Sequence, residues 1–116
     1  MATEKQVETK LRELIRRLEA AGRDVQAGLG RALSGPRVVQ VDVPDLDASF
    51  WTELASGRMG ELRRGHPEQA DIKITAASDD VVAMIDGTKP LFTSYLAGHV
   101  RVQASISDLM ALRRLM

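Results

Sequence analysis

The stretch from residue 70 to residue 116 leaves the chain the fewest choices. Ala70-Asp71-Ile72-Lys73-Ile74-Thr75-Ala76 alternates apolar with polar side chains, which predicts a half-buried strand. Ser78-Asp79-Asp80 then offers side chains suited to capping a helix, and Val81, Val82, Met84 and Ile85 follow at helical spacing. Asp86-Gly87 closes that helix, because glycine accepts the left-handed conformation of a C-terminal cap. Lys89-Pro90 opens a second helix with Leu91, Phe92, Tyr95 and Leu96 on one side, and Gly98 stops it. His99 to Ala104 alternates again, and Ser105 to Ser107 leads into a final helix ending in Leu115-Met116. The order is strand, helix, helix, strand, helix.

Upstream, residues 3–21 read as an amphipathic helix. Thr3 with Gln6 three residues on matches a capping box. Val7, Leu11, Leu14, Leu18 and Ala21 recur at alternating steps of four and three, and Ile15 widens the stripe. Glu8–Arg12 and Glu13–Arg17 can pair one turn apart on the outer face. Such a stripe ordinarily packs on its own domain; the alternative is a homodimer seam or a contact for a protein partner. Acidic residues interleaved with the basic ones argue against a helix lying on a membrane surface.

Asp24 to Leu33 predicts a short second helix, weakened by Gly28 and Gly30. Gly28-Leu29-Gly30 opens like a dinucleotide fingerprint, but Leu33 stands at the third glycine and no strand precedes it, so a nucleotide site is excluded. Ser34-Gly35-Pro36 breaks the chain. That break separates an N-terminal helical segment, residues 1–35, from a core at 36–116, within what its length makes a single domain. Arg37 to Val43 is a strand with Val39, Val41 and Val43 on one face, ended by Pro44-Asp45.

Residues 46–65 admit two readings. Phe50 to Ala55 alternates as a strand that Ser56-Gly57 would turn and Arg58 to Arg64 would return; yet Leu46, Phe50 and Leu54 are four apart, as in a helix.

Two runs, Ala70-Asp71-Ile72-Lys73-Ile74 before Ser78-Asp79-Asp80 and Leu96-Ala97-Gly98-His99-Val100-Arg101-Val102, resemble the C-terminal half of the sterol carrier protein type 2 lipid-binding domain. The resemblance covers Ala70–Leu115 well, Arg37–Gly65 less, and hardly anything before that. It implies an α+β fold, with a five-stranded, mostly antiparallel sheet covered on one face by helices. It also implies an apolar tunnel for a lipid, sterol or fatty-acyl ligand, and no catalysis. It favours the hairpin for residues 46–65. This chain departs from the family there: Asp45-Leu46-Asp47 replaces a glycine-rich turn, and Glu61, Arg63 and Arg64 charge the returning strand.

Composition narrows the alternatives. Sixteen basic residues balance sixteen acidic ones, which argues against broad capture of nucleic acid or anionic membrane. The aromatics Phe50, Trp51, Phe92 and Tyr95 are too few, in too neutral a setting, for a base-stacking surface. No cysteine is present, so there is neither a disulfide framework nor thiolate chemistry. The charged N-terminus is no signal core, and no apolar run approaches the ~20 residues of a membrane span. These features predict a cytoplasmic domain without stable membrane insertion.

His66 and His99 are the only imidazoles, and neither lies at metal-ligand spacing with another. Asp79-Asp80 complements the positive end of a helix, and Asp45 and Asp47 read as turn formers. Nothing here assembles an active site, a metal site or a cofactor site. What the residues do supply is an apolar container: Met84, then Leu91, Phe92, Tyr95 and Leu96, then Leu109, Met110, Leu112 and Met116, with Trp51 from the hairpin. Taken alone, those side chains would fill a solid core; the resemblance assigns them to the wall of a cavity.

Overall fold

The computed structural model describes residues 2–20, 35–55, 58–88 and 91–114, with side chains at all of these except 91, 92 and 111–114. Helix α1 spans Glu4–Ala20. The capping box forms: Thr3 N donates to Gln6 Oε1 at 2.8 Å and Gln6 N donates to Thr3 Oγ1 at 3.1 Å. Arg12 pairs with Glu8 and Arg17 with Glu13, as their spacing predicts. The apolar stripe is narrower than the sequence suggests. Val7 and Leu11 are buried, Ile15 and Leu18 half-buried, and Leu14 is turned outward. A heptad step on a straight helix drifts by ~20°, so Ile15, four residues after Leu11, takes the inward place that Leu14 loses.

Strand β1 spans Arg37–Val43 and β2 spans Ala48–Ala55. They pair antiparallel, from Arg37 opposite Leu54 to Val43 opposite Ala48. A single 3₁₀ turn, Pro44–Leu46, joins them, and Asp47 closes it with φ 50°, donating its N–H to the Pro44 carbonyl. Residues 46–65 are therefore a hairpin and not a helix. Phe50, Thr52 and Leu54 are buried while Glu53 and Ala55 are exposed, the period of two that a helix would violate. The Ser56-Gly57 turn and the helix expected over Asp24–Leu33 lie outside the described residues, as do Lys89-Pro90.

The returning chain forms two short strands, β3 at Arg58–Met59 and β4 at Arg63–Arg64, both paired to β2. Leu54 faces Met59 but Trp51 faces Arg63, so three steps along β2 match four on the returning chain. The extra residue is a bulge, bridged where Gly60 N donates to the Glu53 carbonyl at 2.8 Å. That bulge is why the sheet has six strands where five were expected: one edge strand is split.

Strand β5, Ile72–Ala76, lies parallel to β1, and β6, Val100–Gln103, lies antiparallel to β5. The order across the sheet is β3-β2-β1-β5-β6, with β4 continuing β3 along β2. Helix α2 spans Ser78–Asp86, α3 spans Leu91–Leu96 and α4 spans Ile106–Arg114.

The start of α2 differs from expectation. Ala77 occupies the cap position and has no side chain to offer. Asp45, in the distant 3₁₀ turn, does the work: Ser78 N donates to Asp45 Oδ1 at 2.9 Å and Ser78 Oγ to Oδ2 at 2.6 Å. Asp45 is thus a remote helix cap as well as a turn residue. The other end follows the sequence, with Gly87 at φ 81° and its N–H directed at the Ala83 and Met84 carbonyls.

The main core lies on the helix side of the sheet. Val7 and Leu11 of α1 and Val81 of α2 meet Val43, Phe50, Ala76 and Val100 from four strands, with Leu62 closing the bulged edge. Helix α1 is fixed at both flanks: Lys10 pairs with Asp86, Arg17 donates to the Ile85 carbonyl at 2.7 Å, and Arg64 of β4 reaches Glu4 at 2.9 Å.

Candidate functional site

Packing on that face is uneven. Toward the N-terminal half of α1 it is dense, and Val7, Val43 and Phe50 are wholly out of water. Toward the C-terminal half the described residues form a second, thinner cluster, in which buried Leu54 is joined by the half-buried Leu18, Val39 and Met59. Thr52 sits at the seam. It follows Phe50 of the first cluster and precedes Leu54 of the second along β2, and it lies opposite Val39 in the register. Its side chain is 5 % exposed, and Oγ1 has no hydrogen-bond partner among the described residues. A buried hydroxyl without a partner is uncommon and costly.

A cleft of about 390 Å³ opens between α1 and the bulged edge, with Ile15, Met59 and Leu62 in its wall and Arg12, Arg16, Glu19 and Glu61 around it. It meets the core where the two clusters divide, since Ile15 and Leu62 belong to the first and Met59 to the second.

Helix α4 is tied to the same end of the sheet. Arg37, opposite Leu54, donates through Nε to Asp108 Oδ2 at 2.8 Å and through Nη2 to Oδ1 at 3.2 Å. That hydrogen bond, with the neighbouring negative charge, holds the guanidinium above even its usual high pKa. Asp108 N in turn donates to Ser105 Oγ, which caps the helix.

The expected cavity residues separate into groups. Met84 and Leu109 are half-buried, and Met84 packs against the main core. Tyr95 (40 % exposed), Leu96 (70 %) and Met110 (49 %) lie at the surface of α3 and α4, as does Ile106. Leu91 and Phe92 fall in α3 and Leu112 in α4, and Met116 lies outside the described residues. Trp51 alternates onto the sheet face away from α1, where the Arg63 guanidinium stands 5.1 Å from its ring centroid. It therefore lies away from the space between sheet and helices. Sequence reasoning passed over Thr52, because one threonine among strand residues carries no signal until its neighbours are known.

The outer face of the sheet holds a polar network. Asp42 Oδ1 accepts from Gln40 Nε2 and from Ser49 Oγ, both at 2.7 Å, and Lys73 Nζ stands 3.3 Å from Oδ2. Burial by itself would raise the Asp42 pKa; the bonds from Ser49, Gln40 and Lys73 together outweigh it and hold the carboxyl below its ordinary value. The ring of His66 meets Gln40 Nε2 at 3.1 Å through Nδ1. Ser49 is bonded to Asp42 and His66 to Gln40, so no nucleophile–base pair is formed, and His99 is exposed at the head of β6. Among the described residues no cluster of His, Cys, Asp or Glu could hold a metal, and no helix is long and apolar enough to cross a membrane.

The family model described as the SCP-2 sterol transfer family matches residues 5–116. No curated relative matches in sequence. Among solved structures the chain is similar to a sterol carrier protein 2 like 2 from Aedes aegypti, with 13 % identity, TM-score 0.69 and 97 % of each chain covered. It is similar to a ubiquinone synthesis protein, UbiJ-SCP2, with 16 % identity, TM-score 0.66, and 99 % of this chain and 92 % of that one covered. A palmitated form of the Aedes aegypti protein in solution gives 10 % identity, TM-score 0.64, and coverage of 98 % and 94 %. At these identities the likeness is one of fold.

Proposed function

We propose that this chain, which belongs to the SCP-2 sterol transfer family, is a non-catalytic carrier that holds one lipid, sterol or fatty-acyl ligand between its sheet and its helices. The observation that carries this reading is the incomplete burial of apolar side chains at one end of the helix-facing side of the sheet. Leu18, Val39 and Met59 stay half-buried around Leu54, at the end of the sheet where the cleft opens and where α4 is tied. An acyl chain entering there would complete the burial of those side chains. Each methylene withdrawn from water contributes roughly 0.8 kcal/mol, so selectivity would follow ligand length and shape. The reading assigns the remaining wall to Met84 and Leu109, and by helical spacing to Leu91, Phe92 and Leu112. The palmitated neighbour supports an acyl chain as the first ligand to try.

The test is displacement of a fluorescent fatty acid, followed by native mass spectrometry of the freshly purified protein. Saturable binding of one ligand per chain is expected. No saturable binding of fatty acid or sterol overturns the proposal.

A second reading, a non-catalytic interaction module, is favoured by the exposure of Leu96, Ile106 and Met110 on α3 and α4. It expects self-association or partner capture that L96S/M110S abolishes while ligand binding is kept. Light scattering of the two proteins distinguishes it.

A further inference from the structure

Resting on the carrier reading, we infer that the Thr52 hydroxyl is a specificity determinant: the site prefers an amphiphile bearing a hydrogen-bonding oxygen on the part that enters the protein. Three observations meet at this residue. Thr52 Oγ1 is buried and has no partner among the described residues, although a hydroxyl can donate one hydrogen bond and accept two. Its side chain shares the helix-facing side of the sheet with Phe50 and Leu54, between the two clusters. And Thr52 stands across from the bulge, since Trp51 pairs with Arg63 and Leu54 with Met59, leaving Thr52 and Glu53 facing Gly60 to Leu62. Gly60 and Leu62 line the cleft between α1 and the sheet edge. The Thr52 backbone is thus about one strand spacing, ~5 Å, from the chain that lines the cleft.

The chemistry of the guest follows. The rim carries Arg12 and Arg16 together with Glu19 and Glu61, so a polar or charged head remains outside among these side chains, and the apolar part enters past Ile15, Met59 and Leu62. Beyond them, among the described residues, Thr52 Oγ1 is the buried side-chain polar atom left without a partner. A plain hydrocarbon leaves that hydroxyl as unsatisfied as it was. A ligand with a hydroxyl or carbonyl oxygen at the right depth satisfies it, and gains the advantage of a hydrogen bond made away from water.

The test uses the whole chain, with palmitate and three hydroxypalmitates carrying the hydroxyl near the head, at mid-chain and at the tail end. T52V keeps the shape of the side chain and removes the hydroxyl; T52S keeps the hydroxyl. Wild type and T52S should bind at least one hydroxypalmitate about fivefold more tightly than palmitate, and in T52V that ratio should fall to about one. Urea midpoints show that the variants fold; T52V should be no less stable than wild type, because the group it removes has no partner. If no hydroxypalmitate is preferred by wild type, or if T52V keeps the preference, the inference is overturned while the carrier reading stands. If neither palmitate, nor any hydroxypalmitate, nor a sterol binds any of the three proteins, it is the carrier reading that has failed.

Discussion

Asp45→Ala should destabilise the fold far more than an exposed turn residue ordinarily does. The carboxylate accepts two bonds from Ser78, whose residue is wholly buried at the head of α2. Loss of a helix cap costs about 1 kcal/mol. Leaving the buried Ser78 hydroxyl without an acceptor adds roughly 1 kcal/mol or more. Because Asp45 itself is exposed, neither contribution reaches the upper end of its range, and the total is ~2 kcal/mol. With an unfolding entropy of about 2.1 cal/mol/K per residue, a chain of 116 residues loses roughly 8 °C in Tm. Urea unfolding measures the free-energy change directly, and its m-value should not move. Ser78→Ala removes the hydroxyl together with its need for a partner, so D45A/S78A should cost clearly less than the two single changes added. The pH dependence carries a sign. The Ser78 bonds hold the Asp45 pKa below the ordinary carboxylate value in the folded state. Its stabilisation is therefore complete above the unfolded pKa and is lost as pH falls through the lower, folded one. D45A should flatten that part of the acid limb. A cost below ~0.5 kcal/mol, typical of a plain surface site, or strict additivity in the double variant, would refute the remote cap.

Three further outcomes are expected. Gly87→Ala meets no neighbouring atom, yet its φ of 81° is one that alanine adopts poorly, so about 1 kcal/mol should be lost in thermal or urea unfolding. Phe50→Ala, in a fully buried site, should cost roughly 3–5 kcal/mol and leave a marginal fold by near-UV circular dichroism. Asp42→Asn removes a carboxyl held below its ordinary pKa, so the variant's stability, followed by urea unfolding, should depend less on pH in the acid range.

Much of the fold could be read from the chain because its signals are local. Thr3 and Gln6 name the start of α1, the alternation in Ile72–Ala76 names a strand, and Gly87 and Gly98 name helix ends, each through interactions spanning a few residues. The hairpin needed the resemblance as well, since Phe50 and Leu54 fit two periods until a sheet is there to choose between them. Leu14 shows the limit of a stripe: heptad drift moves it off the buried face, and only the packed structure shows that Ile15 and not Leu14 faces inward.

What the sequence determined by itself was therefore the set of elements and their order, because helix and strand periods, caps and turn residues act over one or two turns of chain. The tertiary structure alone decided three things: that Asp45 caps a helix beginning 33 residues later, that a one-residue bulge splits the edge strand, and that Thr52 is enclosed with its hydroxyl unpaired. The reason is physical. Burial and hydrogen-bond satisfaction are properties of a side chain's neighbours in space, and those neighbours come from strands and helices that no local window of sequence brings together.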